Sequence, residues 1–480
     1  MWTGVFKLPE TAKDFLARFV SFSIGPGVSA LIGFVSVPIT TWLIAPEDFG
    51  RASMFTVFIT LTSLVLFFGL DQAFVREFHA TENKQKILFH SVSVPLFFSI
   101  LLCGVFLIFH STITISLYGS DSFLAAIVTI VPVPFMVVER FNMLIIRMKE
   151  NGRLYSFLQI LRSSLQVVFL IGIAYFHRTF FSVIAAQTIS ICLTATITFV
   201  LVKDYWLVRQ NIDKLLFKKL FRFGLPLVPA TILGWALNAM DKVALRLWAD
   251  FSEMGIYSAG FKVVSALLLF QAAFTTFWAP TAYRWFETGE NIKKFERVSV
   301  FLSFFLCFVG GSIILSRHII IRILATSYAP AAVVVPFLIY YPVLYTLSET
   351  TVMGIGFTRR TELGIWVSLV AAGANLLGNW LLVPQYGALG ASIATAISYM
   401  AFFWMRTILS RAVWEKFPLS PHIVNLSLLI VMSVLAGLQD KGFVHDYTAY
   451  AGISILIVLL VFANASHLAY AKKTLFLSKR

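Results

Sequence analysis

Long apolar stretches, each near the roughly 20 residues a helix needs to cross a bilayer, alternate with short polar connections along the whole chain. The pattern predicts helices at 19–44, 54–75, 88–110, 122–146, 155–176, 181–203, 223–249, 256–281, 298–316, 331–357, 362–383, 387–409, 422–438 and 448–470. Hydrocarbon offers no partner for an open backbone N–H or C=O, so these spans must close their hydrogen bonds internally, as helices. The short alternating segments of a large β-barrel are absent. The expectation is an all-α polytopic membrane protein with about 14 transmembrane helices.

Composition agrees. The 480 residues are 59% hydrophobic with mean hydropathy +0.84, and only 13% are charged, against about 25% in soluble domains. The net charge of +15 would suggest nucleic acid as a partner in a soluble protein, but its distribution points elsewhere. Of 38 Lys and Arg, 29 fall in or beside connections of one parity, and five (Arg51, Arg178, Arg317, Arg322 and Lys441) in the other. The remaining four, Arg162, Lys242, Arg246 and Lys262, fall inside spans. The positive-inside rule then places both termini in the cytoplasm and requires an even number of helices. The longest cytoplasmic connection carries an amphipathic run, Asn211 to Phe221, and divides the chain near its middle. Predicted boundaries are 1–202 for a first six-helix lobe, 203–222 for the linker, 223–410 for a second lobe, and 411–480 for two further helices and a basic tail. No cleavable signal peptide is expected, and the amphipathic start, Phe6 to Phe19, is predicted to lie on the membrane surface.

An internal repeat supports the two lobes. Asp48, Phe49, Gly50 and Ser53 after the first helix match Glu253, Met254, Gly255 and Ser258 after the seventh, at an offset of 205. Ala186, Ile189 and Ser190 match Ala394, Ile397 and Ser398. Parallel six-helix repeats place a substrate site between the halves of several transporters.

The informative residues are charges inside spans, each costly unless it faces protein or water. Trp235, Asn238, Lys242 and Arg246 share one face of the seventh helix. Two like charges four residues apart ask for an anion. Alternatively, Arg246 reaches the outer interface while Asp241 and Lys242 pair. Gln159, Arg162 and Gln166 form a polar stripe on the fifth helix, with Arg162 too deep to reach the interface easily. Lys262 lies at similar depth in the eighth. Tyr341, Tyr345, Ser348 and Glu349 share a face of the tenth, where tyrosines suit sugars and Glu349 suits a coupling proton or a structural partner. Ser368, Asn375 and Asn379 read as interhelical hydrogen-bonding groups. Asp71 and Arg76 close the second helix as a local ion pair or as a gate. The three cysteines match no disulfide or metal pattern, the histidines form no ligand motif, and no glycine-rich phosphate loop is present. No metal or cofactor is expected.

With Pro38, Pro46-Glu47-Asp48-Phe49-Gly50, Gly69-Leu70 and Arg76 among their residues, several runs resemble Wzx-type O-antigen and polysaccharide flippases. They are a Gly/Ser-rich first helix with Pro38, then Pro46-Glu47-Asp48-Phe49-Gly50, and Gly69-Leu70 with Ala73 and Arg76. Phe223-Gly224-Leu225-Pro226 ahead of Asp241-Lys242 and Gly255-Ile256-Tyr257-Ser258 continue the resemblance. So do Asn375, Asn379, Pro384, Tyr386-Gly387-Ala388-Leu389-Gly390-Ala391 and Ala394. It implies two six-helix lobes forming a V around a central cavity, with two C-terminal helices. It also implies alternating access and an undecaprenyl-diphosphate-linked oligosaccharide, such as an O-antigen unit of lipopolysaccharide, moved across a bacterial cytoplasmic (inner) membrane. A coupling ion, H+ or Na+, is expected of relatives. A monomer in membrane lipid, beside other polysaccharide assembly proteins, is the expected working unit. The alternatives are a cation-coupled multidrug exporter of the same fold and, from another class, a membrane polymerase or acyltransferase. Four embedded cations against two deep acids, Asp241 and Glu349, disfavour the first, and short outer loops disfavour the second.

Overall fold

The computed structural model describes residues 12–207, 211–360 and 362–465, with the backbone alone at 12–20 and at Ala230, Leu237 and Asn238. The predicted positions of the two termini, the first part of the run Phe6 to Phe19 and the basic tail lie outside the described residues. Every regular element among the described residues is helical. The chain divides into two compact units, one with the residues up to Ser36 and Phe58–Ile232, the other with Val37–Val57 and the residues from Leu233 onward.

The first part of the chain forms α1 (Ala12–Leu43), α2 (Pro46–Leu66), α3 (Leu70–Phe78), α4 (Lys84–Ile108), α5 (His110–Tyr118), α6 (Phe123–Ile130), α7 (Pro132–Met148), α8 (Gly152–Phe176), α9 (Phe180–Val202) and α10 (Lys214–Gly224). Within the first unit α7, α8 and α9 pack together, and α3 packs on α4, α7 and α10. The contact is apolar: Leu70, Phe74, Ile87, Phe141, Ile145 and Leu220 are buried together. The predicted second helix is broken, because Phe68 and Gly69 take left-handed φ values of 50° and 69°. Gly69 is required there twice over. Its φ favours glycine, and a Cβ on it would stand 2.1 Å from the carbonyl oxygen of Gly224. Asn83, Ser122, Asn151 and Asp213 cap α4, α6, α8 and α10 by accepting first-turn N–H groups.

The rest of the chain forms α11 (Val228–Trp248), α12 (Phe251–Val264), α13 (Ala266–Glu287), α14 (Ile292–Ile321), α15 (Ala331–Leu338), α16 (Tyr340–Thr351), α17 (Met353–Phe357), α18 (Leu363–Val413), α19 (Ser420–Asp440) and α20 (Asp446–Ala463). In this unit α12, α15, α16 and α18 pack together, and α19 and α20 pack on each other and on α14. Here the repeated junctions meet. Ser53 and Ser258 hydrogen-bond at 2.9 Å. A Cβ on Gly50 would stand 1.9 Å from the carbonyl oxygen of Phe251, and one on Gly255 1.9 Å from that of Pro46. Two helix starts thus cross at backbone contact, and the matched glycines permit it.

Eleven helices among the described residues are long and apolar enough to span a membrane, or up to 13 if two bent pairs each count as one span. The 51-residue α18 is counted once, although Gly387 (φ 52°, ψ −127°) divides it. Fourteen, the predicted number, requires both bent pairs to be single spans and α18 to be two.

Candidate functional site

In the first unit, a 520 Å³ cavity opens between α3, α7 and α8, lined by Asp71, Gln72, Glu139, Arg140, Gln159 and Arg162 among apolar neighbours such as Phe67, Met136 and Leu227. Its polar groups form two ion pairs. Arg140 donates to Asp71 Oδ2 through Nη2 at 2.6 Å and Nε at 3.2 Å, and Gln72 donates to the same oxygen at 3.0 Å. Arg162 Nη1 donates to Glu139 Oε2 at 3.0 Å, and Thr194 donates to Glu139 Oε1 at 2.9 Å. The two members of each pair sit differently. Asp71 and Glu139 are both 6% exposed, whereas the guanidinium side chains are 41% and 43% exposed. Buried carboxylates thereby hold two arginine forks at the cavity wall, each fork with five donors and only part of them engaged. Gln159 adds a buried Oε1 with no described partner.

This arrangement corrects the sequence reading in three ways. Arg162 is neutralised by Glu139, so the cavity carries balanced charge rather than an uncompensated cation. Asp71 pairs with Arg140, while Arg76 stacks over the Phe223 ring at 4.3 Å and lies 4.0 Å from Glu77. The predicted polar stripe on α8 divides, since Gln159 and Arg162 line the cavity and Gln166, half-buried, does not. Glu139 and Arg140 were missed. Their signal was present, because both lie inside the predicted span 122–146, but the charge count assigned Arg140 to the cytoplasmic connection that follows it.

The second unit holds a separate constellation around Asp241, which is 2% exposed. Its Oδ1 accepts from Asn375 at 2.9 Å and Asn379 at 2.8 Å, and its Oδ2 accepts from Tyr257 at 2.7 Å and Thr395 at 2.8 Å. Four neutral donors from α12 and α18 therefore satisfy this carboxylate. They stand where the sequence allowed a Lys242 pair, and Asn375 and Asn379 on α18 make the interhelical hydrogen bonds expected of them, with the α11 carboxylate as acceptor. Lys242 is half-buried and Lys262 exposed. Arg246 stacks over the Phe251 ring at 4.8 Å, and Trp235 is half-buried on the same helix. The side chain of Asn238 lies outside the described residues. Tyr341 stands 4.5 Å from Tyr399 and 5.7 Å from Phe261, ring centre to ring centre, and Tyr345 stacks on Phe402 at 5.8 Å. Glu349 receives Arg406 at 2.8 Å, a residue the charge count assigned to a cytoplasmic connection. Arg317, expected in an outer connection, lies fully buried against Asp440 at 2.9 Å. The described residues contain no group of three or more His, Cys, Asp or Glu that could hold a metal.

The family described as polysaccharide biosynthesis protein matches residues 15–286, more than half of the chain. The chain belongs to that family. A Haloferax volcanii protein described as a probable low-salt glycan biosynthesis flippase, Agl15, is 23% identical over 265 residues, 54% of each chain. The Staphylococcus aureus capsular polysaccharide biosynthesis protein CapF is 24% identical over 197 residues, 39% of this chain and 48% of its own. The matched region thus spans about half the length of these curated relatives. Among solved structures, the lipid II flippase MurJ in an inward closed conformation superposes with a TM-score of 0.68 at 14% identity, covering 94% of this chain and all of that one. A MATE transporter of Vibrio cholerae, VcmN, gives 0.56 at 14% identity, covering 84% and 96%. These likenesses establish the fold. The protein is a multi-pass membrane member of the polysaccharide biosynthesis family with the helical fold shared by MurJ and the MATE proteins.

Proposed function

We propose that this protein flips an undecaprenyl-diphosphate-linked oligosaccharide, the repeat unit of an O-antigen or other surface polysaccharide, from the cytoplasmic to the outer leaflet of a bacterial inner membrane. The observation that carries the proposal is the pair of half-exposed guanidiniums, Arg140 and Arg162, held in one cavity by buried carboxylates. A planar guanidinium fork matches phosphate oxygens two at a time. A diphosphate entering the cavity gains these contacts in a medium less polarisable than water. Its lipid tail stays in the bilayer, so only the head group needs a polar path. Asp71 and Glu139 keep the arginines extended when no substrate is present, which lowers the ordering cost of binding. Because they also compete for the guanidiniums, substrate is held loosely enough to leave.

In the second unit, Lys242 and Arg246, with Trp235 and Asn238 on the same helix, and Lys262 on α12 are further proposed anion contacts, and Tyr341 and Tyr345 the proposed sugar contacts. Asp241 is the proposed coupling group. Its donors Asn375, Asn379 and Thr395 also carry oxygens, and the Asn379 Oδ1 is buried without a described partner, a set that suits a proton or a hard cation such as Na+. Glu349 is a second candidate, restrained by Arg406. The protein is proposed to act as a monomer, with both termini cytoplasmic and no nucleotide or metal cofactor.

Purified protein in liposomes should expose a labelled lipid-diphosphate sugar to the opposite leaflet. Arg140→Gln with Arg162→Gln should slow this at least tenfold. Unchanged flipping in that folded double variant would refute the role of the cavity. Export of a lipophilic cationic dye with no flipping would establish the drug-exporter reading instead.

A further inference from the structure

A second polar cavity, distinct in its lining from the first, lies where α3 meets α10. It holds 590 Å³ and is walled by Arg76, Glu77, Lys218, Lys219, Arg222 and Phe223, with Leu215 at its side. Four cations face one carboxylate, Glu77, which pairs with Lys219 at 2.5 Å and lies 4.0 Å from Arg76. Among the described residues no ion pair involves Lys218 or Arg222, and both are exposed. Arg76 is 60% exposed and oriented by the Phe223 ring.

The wall is built rather than incidental. Lys86 pairs with Asp213 at 2.7 Å, and the Asp213 N–H donates to His90 Nε2 at 2.8 Å, fixing the start of α10 to α4. The far end of α10 is fixed by the backbone approach of Gly224 to Gly69. Leu215 in the cavity wall is 78% exposed, an apolar side chain set beside the cations. A net positive cleft with an exposed leucine in its wall fits a molecule with an anionic phosphate and hydrocarbon chains. A free phosphate or soluble phosphate ester uses the cations and leaves Leu215 bare.

We propose that this cleft binds the phosphate head group of an anionic membrane phospholipid, through Arg76, Lys218 and Arg222, with acyl chain packed against Leu215. The site differs from the substrate cavity and goes beyond the transport proposal. It makes the docking of α10 responsive to the charge of the surrounding leaflet.

The test uses the full-length purified chain in zwitterionic detergent micelles, with short-chain phosphatidylglycerol, phosphatidylcholine, glycerol phosphate and inorganic phosphate as probes. Phosphatidylglycerol should bind saturably, and phosphatidylcholine should not. Lys218→Gln with Arg222→Gln should weaken phosphatidylglycerol by about fivefold per charge removed, and by less as salt rises. Leu215→Ser should weaken phosphatidylglycerol while leaving glycerol phosphate unchanged. Unchanged affinity in the charge variant overturns the proposal, and so does displacement by inorganic phosphate at equal concentration, which would mark a free-anion site. If the double variant fails to fold, Lys218→Gln alone, checked by its melting temperature, reads the same loss. None of these substitutions touches Arg140 or Arg162, so failure here leaves the transport proposal standing.

Discussion

At the scale of single residues, the Glu139–Arg162 pair shows how a buried charge takes its meaning from its partner. Glu139 is nearly sealed from solvent and depends on Arg162 and Thr194 for its hydrogen bonds. Arg162→Ala leaves it with Thr194 as its remaining described partner. The expected loss of stability is about 1–3 kcal/mol, below the roughly 3–5 of a fully buried pair, because the guanidinium is 43% exposed and partly screened. Adding Glu139→Gln should restore the melting temperature without restoring transport, since the orphan charge is gone but so is the phosphate fork. Recovery of both together would make the pair structural and remove Arg162 from the substrate path. The sequence made Arg162 and Asp71 visible because a charge inside an apolar run is expensive. It left Glu139 and Arg140 unread because opposite charges at adjacent positions point to different sides of a helix, and nothing local says that each meets a third residue.

At the scale of elements, two contacts decide how helices meet. Gly50 and Gly255 let α2 and α12 start at backbone distance. Gly50→Val should cost about 3 kcal/mol or more through overpacking against a carbonyl that cannot retreat, read as loss of the monodisperse peak in fluorescence-detected size exclusion. Ser53→Ala at the same crossing removes the hydroxyl contacts to Ser258 and to the Phe49 carbonyl and should cost about 1 kcal/mol. Equal effects from the two would mean that the crossing is not close-packed. The second contact is the Lys86–Asp213 clip under α10. The Lys86 ammonium, with the Leu216 and Leu215 N–H groups, holds the Asp213 carboxyl below the usual carboxylate range. A carboxyl depressed in the folded state contributes stability above its unfolded pKa and loses it as pH falls through the lower folded value. Hydrogen exchange of the α10 amides should therefore stay slow down to roughly pH 4, near the ordinary aspartate value, and quicken below. In Asp213→Asn the amides should exchange faster at neutral pH and show no such acid step. A wild-type profile flat between pH 6 and 3 would remove the clip from the docking of α10. The amphipathic run at Asn211 to Phe221 was legible from its periodicity, but its apolar anchor at Leu220, packed among α3 and α4 residues, was not.

At the scale of the whole molecule, the expected topology follows from the charge asymmetry of the connections. Reporter fusions after Lys84, Lys214 and Arg360 should report the cytoplasm, and fusions after Tyr118, Asp250 and Gln385 the outside. Reversal at any two sites would break the span assignment. The same assignment bears on α18. It is kinked at Gly387, whose φ is 52°, with Ala388 N–H donating to Glu253 at 2.7 Å, so Gln385 tests whether the kink is a turn at the outer surface.

The sequence by itself determined that this chain is a helical membrane protein, where its apolar runs lie and which glycines sit at a repeated junction. Those properties follow from transfer free energies and backbone sterics, which act locally and are readable residue by residue. Tertiary structure alone decided which charges meet. Glu139 finds Arg162 at a separation of 23 residues, Asp71 finds Arg140 at 69, and Asp241 finds Asn375 at 134. A bilayer penalises every unpaired charge alike, so sequence can say that a partner is needed. Only the packing of one helix face on another says which one it is.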